Sequence, residues 1–372
     1  MAPGTSKQLR VGVIGAGLIS QAVHLPTLRA LSELYAIAGV ADPSEKVRAG
    51  LGGRYPEARF YEDWRRLLEA EELDAVLVCS PHATHAGVTL AALDGGLHAF
   101  VEKPLAITTQ DIDAIDRLRL EKGLVVQVGY MKRFDPGYEA LLDALPDDLS
   151  ALRLIDVVTY DPWMARPPFT PVDLIAGDDV SDAERAALAK LEQKQVETAV
   201  GINDPESVKA FSHVYLQALI HDVNLVHGVL EHFGVAVPVE AVTSGHWANG
   251  RAAHVVFRLP GGARWQSSWL LLERQQEFRE VSKFYFSDAV YGLSFDAPYL
   301  RERPSVLEFS KGAGTGEVRR ACVSRVGDAY RAELQHFHAC ITRGATCRTP
   351  PQQARIDSLA LQVAFAARVV TN

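Results

Sequence analysis

Six residues, Leu9–Ile14, form an apolar run of strand length that stops at Gly15-Ala16-Gly17, and residues 18–32 then carry a helical pattern. A strand that ends in two glycines one residue apart and turns directly into a helix constrains a chain strongly. The first glycine permits the tight turn, the second lets the backbone approach a pyrophosphate, and the amides at the helix start bind the anion. Gly15, Ala16, Gly17, Leu18 and Ile19 are therefore candidate cofactor contacts, with Ser20 where a third small residue lets the helix pack on the strand. A plain strand–helix turn without ligand has the same pattern, so the reading depends on the next strand.

That strand, Tyr35–Ala41, ends at Asp42, 25 positions after Gly17. A carboxylate there accepts hydrogen bonds from ribose hydroxyls and repels a 2′-phosphate. Asp42-Pro43-Ser44 has no arginine beside it to receive such a phosphate, although Lys46 and Arg48 are near. The expected cofactor is NAD rather than NADP. Asp42 can also cap the following helix, and the two roles are compatible.

Short strands and helices continue to alternate as far as Leu124–Val128, which implies a parallel sheet wrapped on both faces. Past residue 130 the rhythm changes. A strand at Leu152–Tyr160 is followed by a Pro-rich loop at Pro162–Pro171 and a charged, Ala-rich stretch at 178–206 that begins Asp-Asp-Val-Ser. A long helix at Ser207–Phe233 comes next, then four extended runs between Val239 and Phe286, and closing helices at Tyr330–Arg343 and Ile356–Val370. The expected fold class is α/β: a doubly wound parallel (Rossmann) domain over 1–130, and a second α/β domain over 131–372 with an open, largely antiparallel sheet. Residues 161–206 read as an insertion, a substrate-side cover, an interface arm or equally a solvated surface segment, and 356–370 as the C-terminal helix.

With 38 basic and 46 acidic residues the formal charge is -8, which argues against a broad nucleic-acid footprint. No run of about 18 apolar residues predicts a membrane span. Cys79, Cys322, Cys340 and Cys347 contain no CxxC pair. Without a secretory start they are expected to be reduced thiols of a cytoplasmic protein. His213, His227 and His232 lack partners at metal-ligand spacing, as does His336-x-His338 near Cys340, so no metal site is expected.

Four blocks carry a resemblance: Ser80-Pro81-His82-Ala83-Thr84-His85, Gly96-Leu97-His98-Ala99-Phe100-Val101-Glu102-Lys103-Pro104, Gln127-Val128-Gly129-Tyr130-Met131-Lys132-Arg133-Phe134, and Leu219-Ile220-His221-Asp222-Val223-Asn224-Leu225. In this order they resemble the glucose–fructose oxidoreductase/inositol dehydrogenase (Gfo/Idh/MocA) family, most of all inositol 2-dehydrogenases and related cyclitol or sugar dehydrogenases. The resemblance is good over 9–138 and clear again at 215–230.

The resemblance implies that Lys103 meets the substrate hydroxyl and stabilises its developing negative charge. It implies that His221 is the general acid/base, a role suited to a near-neutral imidazole. Ser80, Pro81, His85 and Glu102 join the expected cofactor contacts, and Tyr130, Lys132, Arg133, Gln217 and Ala218 the expected substrate contacts. An open sheet at the subunit interface, common in the family, implies a homodimer or homotetramer. Gln217 stands where family dehydrogenases commonly carry an Asp one turn before the His, so an amide orients the imidazole without a full charge; Asn224 likewise replaces a usual Asp.

The expected activity is reversible oxidation of a polyol, sugar or cyclitol by NAD. Two alternatives stand beside it: a glycoside-processing enzyme that retains its NAD through a transient oxidation, and a non-catalytic NAD-binding regulator of the same fold.

Overall fold

The computed structural model describes residues 7–162, 173–238, 240–300, 303–312 and 318–369. Two compact units emerge, each discontinuous in sequence: Met1–Tyr130 with Thr170–Gln195 and Tyr330–Arg355, and Met131–Phe169 with Val196–Ala329 and Ile356–Asn372. The expected division into 1–130 and 131–372 shares its boundary at residue 130 with these units, and 170–195 and 330–355 group with the first. Part of the insertion and a late helix return to the first unit because their apolar residues find their core there.

In the first unit, β1 (Leu9–Ile14), β2 (Tyr35–Ala41), β3 (Arg59–Tyr61), β4 (Ala75–Val78), β5 (His98–Glu102) and β6 (Val126–Gly129) form one parallel sheet in the order β3-β2-β1-β4-β5-β6. The order reverses between β1 and β4, the switch point at which such sheets bind ligands beyond their carboxyl ends. Helix α1 (Leu25–Ala30) continues a π-wound turn at Ser20–His24; α2 (Glu45–Arg54), α3 (Trp64–Ala70), α4 (His82–Asp94) and α5 (Thr109–Lys122) connect the later strands. Side chains stop and start these helices: Ser44 caps α2, Asp63 caps α3, Thr108 caps α5, and Gly123 ends α5 at φ 65. Val11, Val13, Val40, Leu77 and Phe100 are fully buried, as are Leu334 and Phe337 of the late helix, which share their core cluster.

The second unit has α6 (Pro136–Ala144) and eight strands: β7 (Leu152–Asp161), β8 (Ala241–Trp247), β9 (Ala252–Arg258), β10 (Arg264–Leu271), β11 (Arg279–Phe286), β12 (Ala289–Phe295), β13 (Ser305–Gly312) and β14 (Val318–Arg325). Their order is β14-β13-β12-β11-β7-β10-β9-β8; β7 and β10 are parallel, every other pair antiparallel. Burial alternates along β10 and β11, so one face of each strand is covered and the other open. β12, β13 and β14 were absent from the sequence reading. Gly292, Ser294 and the charged residues of the last two strands dilute the apolar alternation on which that reading relied.

The insertion contributes α7 (Asp182–Val200), which begins in the first unit and ends in the second. The predicted long helix is three segments in succession: α8 (Pro205–Lys209), a π-wound stretch at Ala210–Leu219, and α9 (Ile220–His232). Helices α10 (Ala329–Arg343) and α11 (Pro351–Ala366) close the chain, α11 starting earlier than predicted because Pro351 suits a first helical turn. No helix among the described residues is long and apolar enough to cross a membrane.

Candidate functional site

The glycine turn has the shape a dinucleotide needs. Gly15 adopts φ 90, and a Cβ there would lie 2.5 Å from the backbone nitrogen of Ser80, so β1 and β4 end against each other only because position 15 is bare. A Cβ on Gly17 would meet nothing within 4 Å. The first glycine thus serves the fold, and the second opens space over the helix start, where Leu18 and Ile19 lead into the turn at Ser20. Ser20 is fully buried and its hydroxyl donates to the Gly15 carbonyl at 2.5 Å, which explains a small polar residue in the third position.

Asp42 completes this edge. Its Oδ2 accepts from the Ala16 amide at 2.8 Å and its Oδ1 from the Ser44 amide at 2.9 Å. Burial raises its carboxyl above the ordinary range, opposed by those two amides and by Arg48, and assisted by the nearby charge of Asp179. The carboxylate is thus fixed at the end of β2 beside the glycine turn, as ribose recognition requires. These residues fit a dinucleotide.

The insertion packs on this same edge. The backbone of Ile175 exchanges two hydrogen bonds with the Gln21 side chain, at 2.9 and 3.0 Å. Asp178 and Asp179 reach the start of α2, His82 meets Glu192 at 2.8 Å, and Gln195 donates to the Ala83 carbonyl at 2.9 Å. Described residues of the insertion thus run from the start of α2 to the start of α4. The sequence reading noticed the Asp-Asp start but had no signal that tied it to Ser44, 135 positions away. Trp163, Met164, Arg166 and Phe169, of the Pro-rich loop that opens the insertion, lie outside the described residues.

At the ends of β4 and β5 the expected cofactor contacts divide. Ser80 and Pro81 form the turn into α4, and the Ser80 hydroxyl bonds Thr84 at 2.7 Å. His85 is 2% exposed, with Nδ1 at 2.7 Å from the Pro104 carbonyl and Nε2 at 2.7 Å from the Ser80 carbonyl. Each ring nitrogen faces a backbone carbonyl and the neutral ring donates to one of them at a time, so His85, expected as a cofactor contact, ties the β4 turn to the residue after Lys103. Burial lowers its pKa to about 4, outweighing the two carbonyls that favour protonation.

Glu102, also expected as a cofactor contact, is held by its neighbours in the same way. It is buried, with Oε1 at 2.7 Å from His24 Nε2, and its Oε2 accepts the Lys103 amide at 3.2 Å. Burial works against its charge, yet the His24 hydrogen bond and the neighbouring cations hold its carboxyl below the ordinary range. Gly129 leaves room for it: a Cβ there would lie 3.2 Å from Glu102 Oε1. Lys103 itself is half-buried at the carboxyl end of β5, and Tyr130 is buried just past β6.

In the second unit, His221 and Ala218 are half-buried and Gln217 is exposed. Regular α-helical spacing would put Val214, Gln217, Ala218, His221 and Leu225 on one face; residues 210–219 are instead π-wound, with i→i+5 bonding that rotates successive side chains away from the i, i+4 row. Gln217 Oε1 lies 3.1 Å from His213 Nδ1, so the amide is engaged one turn before it.

Lys132 and Arg133 are buried, and neither is a simple surface cation. The Lys132 ammonium bonds both carboxylate oxygens of buried Glu280. Arg133 Nη2 donates to Glu231 at 2.7 Å, under Gly228, where a Cβ would lie 2.3 Å from Arg133 Nε and 2.2 Å from the Tyr138 hydroxyl. The guanidinium of Arg133, expected as a substrate contact, thus ties the turn after β6 to α9. Beside Glu280, Asp222 is buried, with Oδ1 3.5 Å from the Thr159 hydroxyl. Burial and the Glu280 charge drive its carboxyl well above the ordinary range against the pull of Lys132. The described residues contain no cluster of three or more metal-ligating side chains.

Comparison with known proteins gives these residues a context. Residues 9–130 match the model of the oxidoreductase family with an NAD-binding Rossmann fold. An inositol 2-dehydrogenase of Paracoccus denitrificans is 36% identical over 169 residues, which cover 44% of this chain and 49% of that protein. Inositol 2-dehydrogenase 4 of Saccharopolyspora erythraea is 28% identical over 269 residues, 68% of this chain and 77% of that one. The match spans about half the length of the first of these. Among solved structures, UDP-N-acetylglucosamine 3-dehydrogenase from Acidithiobacillus ferrooxidans superposes with a TM-score of 0.68 at 22% identity, covering 97% of this chain and 98% of that one, a likeness of fold. Over residues 9–130, with their glycine turn, Asp42 and the Glu102-Lys103-Pro104 end of β5, the chain is similar to the NAD-binding Rossmann domain of that oxidoreductase family and to inositol 2-dehydrogenases.

Proposed function

We propose that the protein is an NAD-dependent dehydrogenase that interconverts a secondary alcohol and a ketone on a sugar or cyclitol. The observation that carries this reading is Lys103, immediately beyond β5 in the same unit as the glycine turn and Asp42. Ligands of open α/β sheets bind at those strand ends. NAD, when bound, accepts or returns the hydride. Lys103 Nζ stabilises the negative charge that develops on the substrate oxygen. His85 and Glu102 position Lys103 by bonding the Pro104 carbonyl and the Lys103 amide. His221 takes the hydroxyl proton on a ring nitrogen during oxidation and returns it during reduction. Gln217, one turn before His221, is a neutral amide engaged with His213.

The test is turnover of cyclitols, aldoses and ketosugars with NAD, read as NADH absorbance. The reading requires net NADH from at least one class and loss of turnover in Lys103→Ala and His221→Ala with NAD binding retained. Product without net NADH would replace it with a retained-cofactor mechanism. Tight NAD binding with no turnover across the panel would replace it with a regulator.

A further inference from the structure

We infer that Asp178 and Asp179 of the insertion set the preference for NAD over NADP by filling the place where a 2′-phosphate would bind. A ribose held by Asp42 directs its 2′-oxygen toward the residues that follow Asp42, the start of α2. That start is a ready anion seat: the Ser44 hydroxyl, the Lys46 amide, the Lys46 ammonium and the positive end of a ten-residue helix. In this protein the seat is already occupied by the chain's own carboxylates. Asp179 Oδ1 accepts from the Ser44 hydroxyl, and its Oδ2 accepts from the Lys46 amide at 3.0 Å. Asp178 takes the Lys46 ammonium with both oxygens, at 2.9 and 3.0 Å.

The other nearby cation is engaged too. Arg48 donates to the carbonyls of Asp42 and Pro43, both at 2.7 Å. The Ser44 hydroxyl, the Lys46 amide and ammonium and Arg48 Nη1 therefore each have an internal acceptor. The hydrogen bond from Ser44 holds the Asp179 carboxyl below its ordinary range, which favours the carboxylate form. A 2′-phosphate must displace two carboxylates and then lie beside a third, Asp42. NAD, with only a hydroxyl there, disturbs none of them.

The segment is held in register by contacts that do not depend on the two aspartates. Ile175 is bonded to Gln21 at 2.9 and 3.0 Å, and Gln195 to Ala83 at 2.9 Å. Neutralising the pair therefore changes the charge at the seat and leaves the segment in place. The inference rests on dinucleotide binding by the first unit and is independent of which alcohol is oxidised.

The test uses the full chain and calorimetric titration with NAD, NADP, 5′-AMP and adenosine 2′,5′-bisphosphate. Wild type should bind NAD and 5′-AMP and discriminate against both 2′-phosphates. Asp178→Asn/Asp179→Asn should tighten adenosine 2′,5′-bisphosphate and NADP by about tenfold or more, roughly one charge contact, with NAD changed less than about threefold. Adding Lys46→Met should remove the gain, because Lys46 is the cation released. Unchanged affinity for the bisphosphate in the double variant overturns the inference, as does equal binding of NAD and NADP by wild type. Failure of wild type to bind any of the four probes would strike the cofactor assignment itself.

Discussion

His227 and Asp357 form a buried pair, with ring Nδ1 at 2.7 Å from carboxylate Oδ1, and the second oxygen of Asp357 accepts from Asn224 Nδ2 at 2.7 Å. One fully buried carboxylate of α11 thus receives two side chains of α9, three positions apart and on one face of that helix. Asn224, which looks from the sequence like a loss of the family's usual Asp, is here the donor that Asp357 requires. Asn224→Asp should therefore destabilise the protein. Two carboxylates would face each other in the interior, at a cost of about 3 kcal/mol at neutral pH, relieved in acid where one of them keeps its proton. Asp357→Ala should cost about as much at every pH, since it strands both partners. Urea unfolding of the three proteins at neutral and acidic pH reads the contrast; an Asn224→Asp protein as stable as wild type at neutral pH would refute it.

The two glycines of the first turn should separate by stability and binding. Gly15→Ala must place a Cβ at φ 90 against the Ser80 backbone, an overlap worth about 1–3 kcal/mol in stability that no rotamer relieves. Gly17→Val meets no protein atom in that direction, so its melting temperature should stay near wild type while NAD affinity falls more than about tenfold. Equal NAD binding by Gly17→Val and wild type would remove the pyrophosphate from this turn.

Much of the first unit was legible in the sequence because its signals are local. A glycine turn, an Asp at the end of the next strand and regular alternation of apolar runs each occupy a few consecutive residues. Three kinds of feature were not legible. The π-winding at 210–219 moves Gln217 out to solvent although its spacing puts it on the His221 face. His85 and Glu102 sit in motif blocks, but their hydrogen bonds to Pro104, Ser80 and His24 are not something a motif shows. The return of 170–195 and 330–355 to the first unit depends on contacts across more than a hundred residues, among them Ser44 with Asp179 and Tyr35 with the Leu334 carbonyl.

Asp222 should make the protein less stable as pH rises through the carboxylate range. Its folded pKa is raised from 3.8 by burial first and by Glu280 second, so the native carboxyl keeps a proton that the unfolded chain releases. The associated stability is fully present below the unfolded value and is lost as pH climbs from there to the raised folded value. Asp222→Asn abolishes this titration and keeps the shape. The stability difference between Asp222→Asn and wild type should grow in favour of the variant from pH 4 upward and then level off. A difference that is flat with pH would show that Asp222 is ionised in the folded state beside Lys132.

His85 has the opposite sign of pH dependence. Its folded pKa of about 4 lies below the ordinary 6.5, because burial penalises the imidazolium more than the Pro104 and Ser80 carbonyls favour it. The unfolded chain therefore binds a proton that the native one refuses. The stability this group contributes is complete above pH 6.5 and declines as pH falls toward 4, by about 3 kcal/mol in all. His85→Gln retains an amide donor for one of the carbonyls but does not titrate. It should be less stable than wild type at pH 7, and the gap should close progressively between pH 6.5 and 4. Because His85 braces the residue after Lys103, the variant should also lower kcat more than it weakens NAD binding, separating a positioning role from a cofactor contact. A stability gap that stays constant through that pH window would mean that both carbonyls hold His85 as the imidazolium in the native protein.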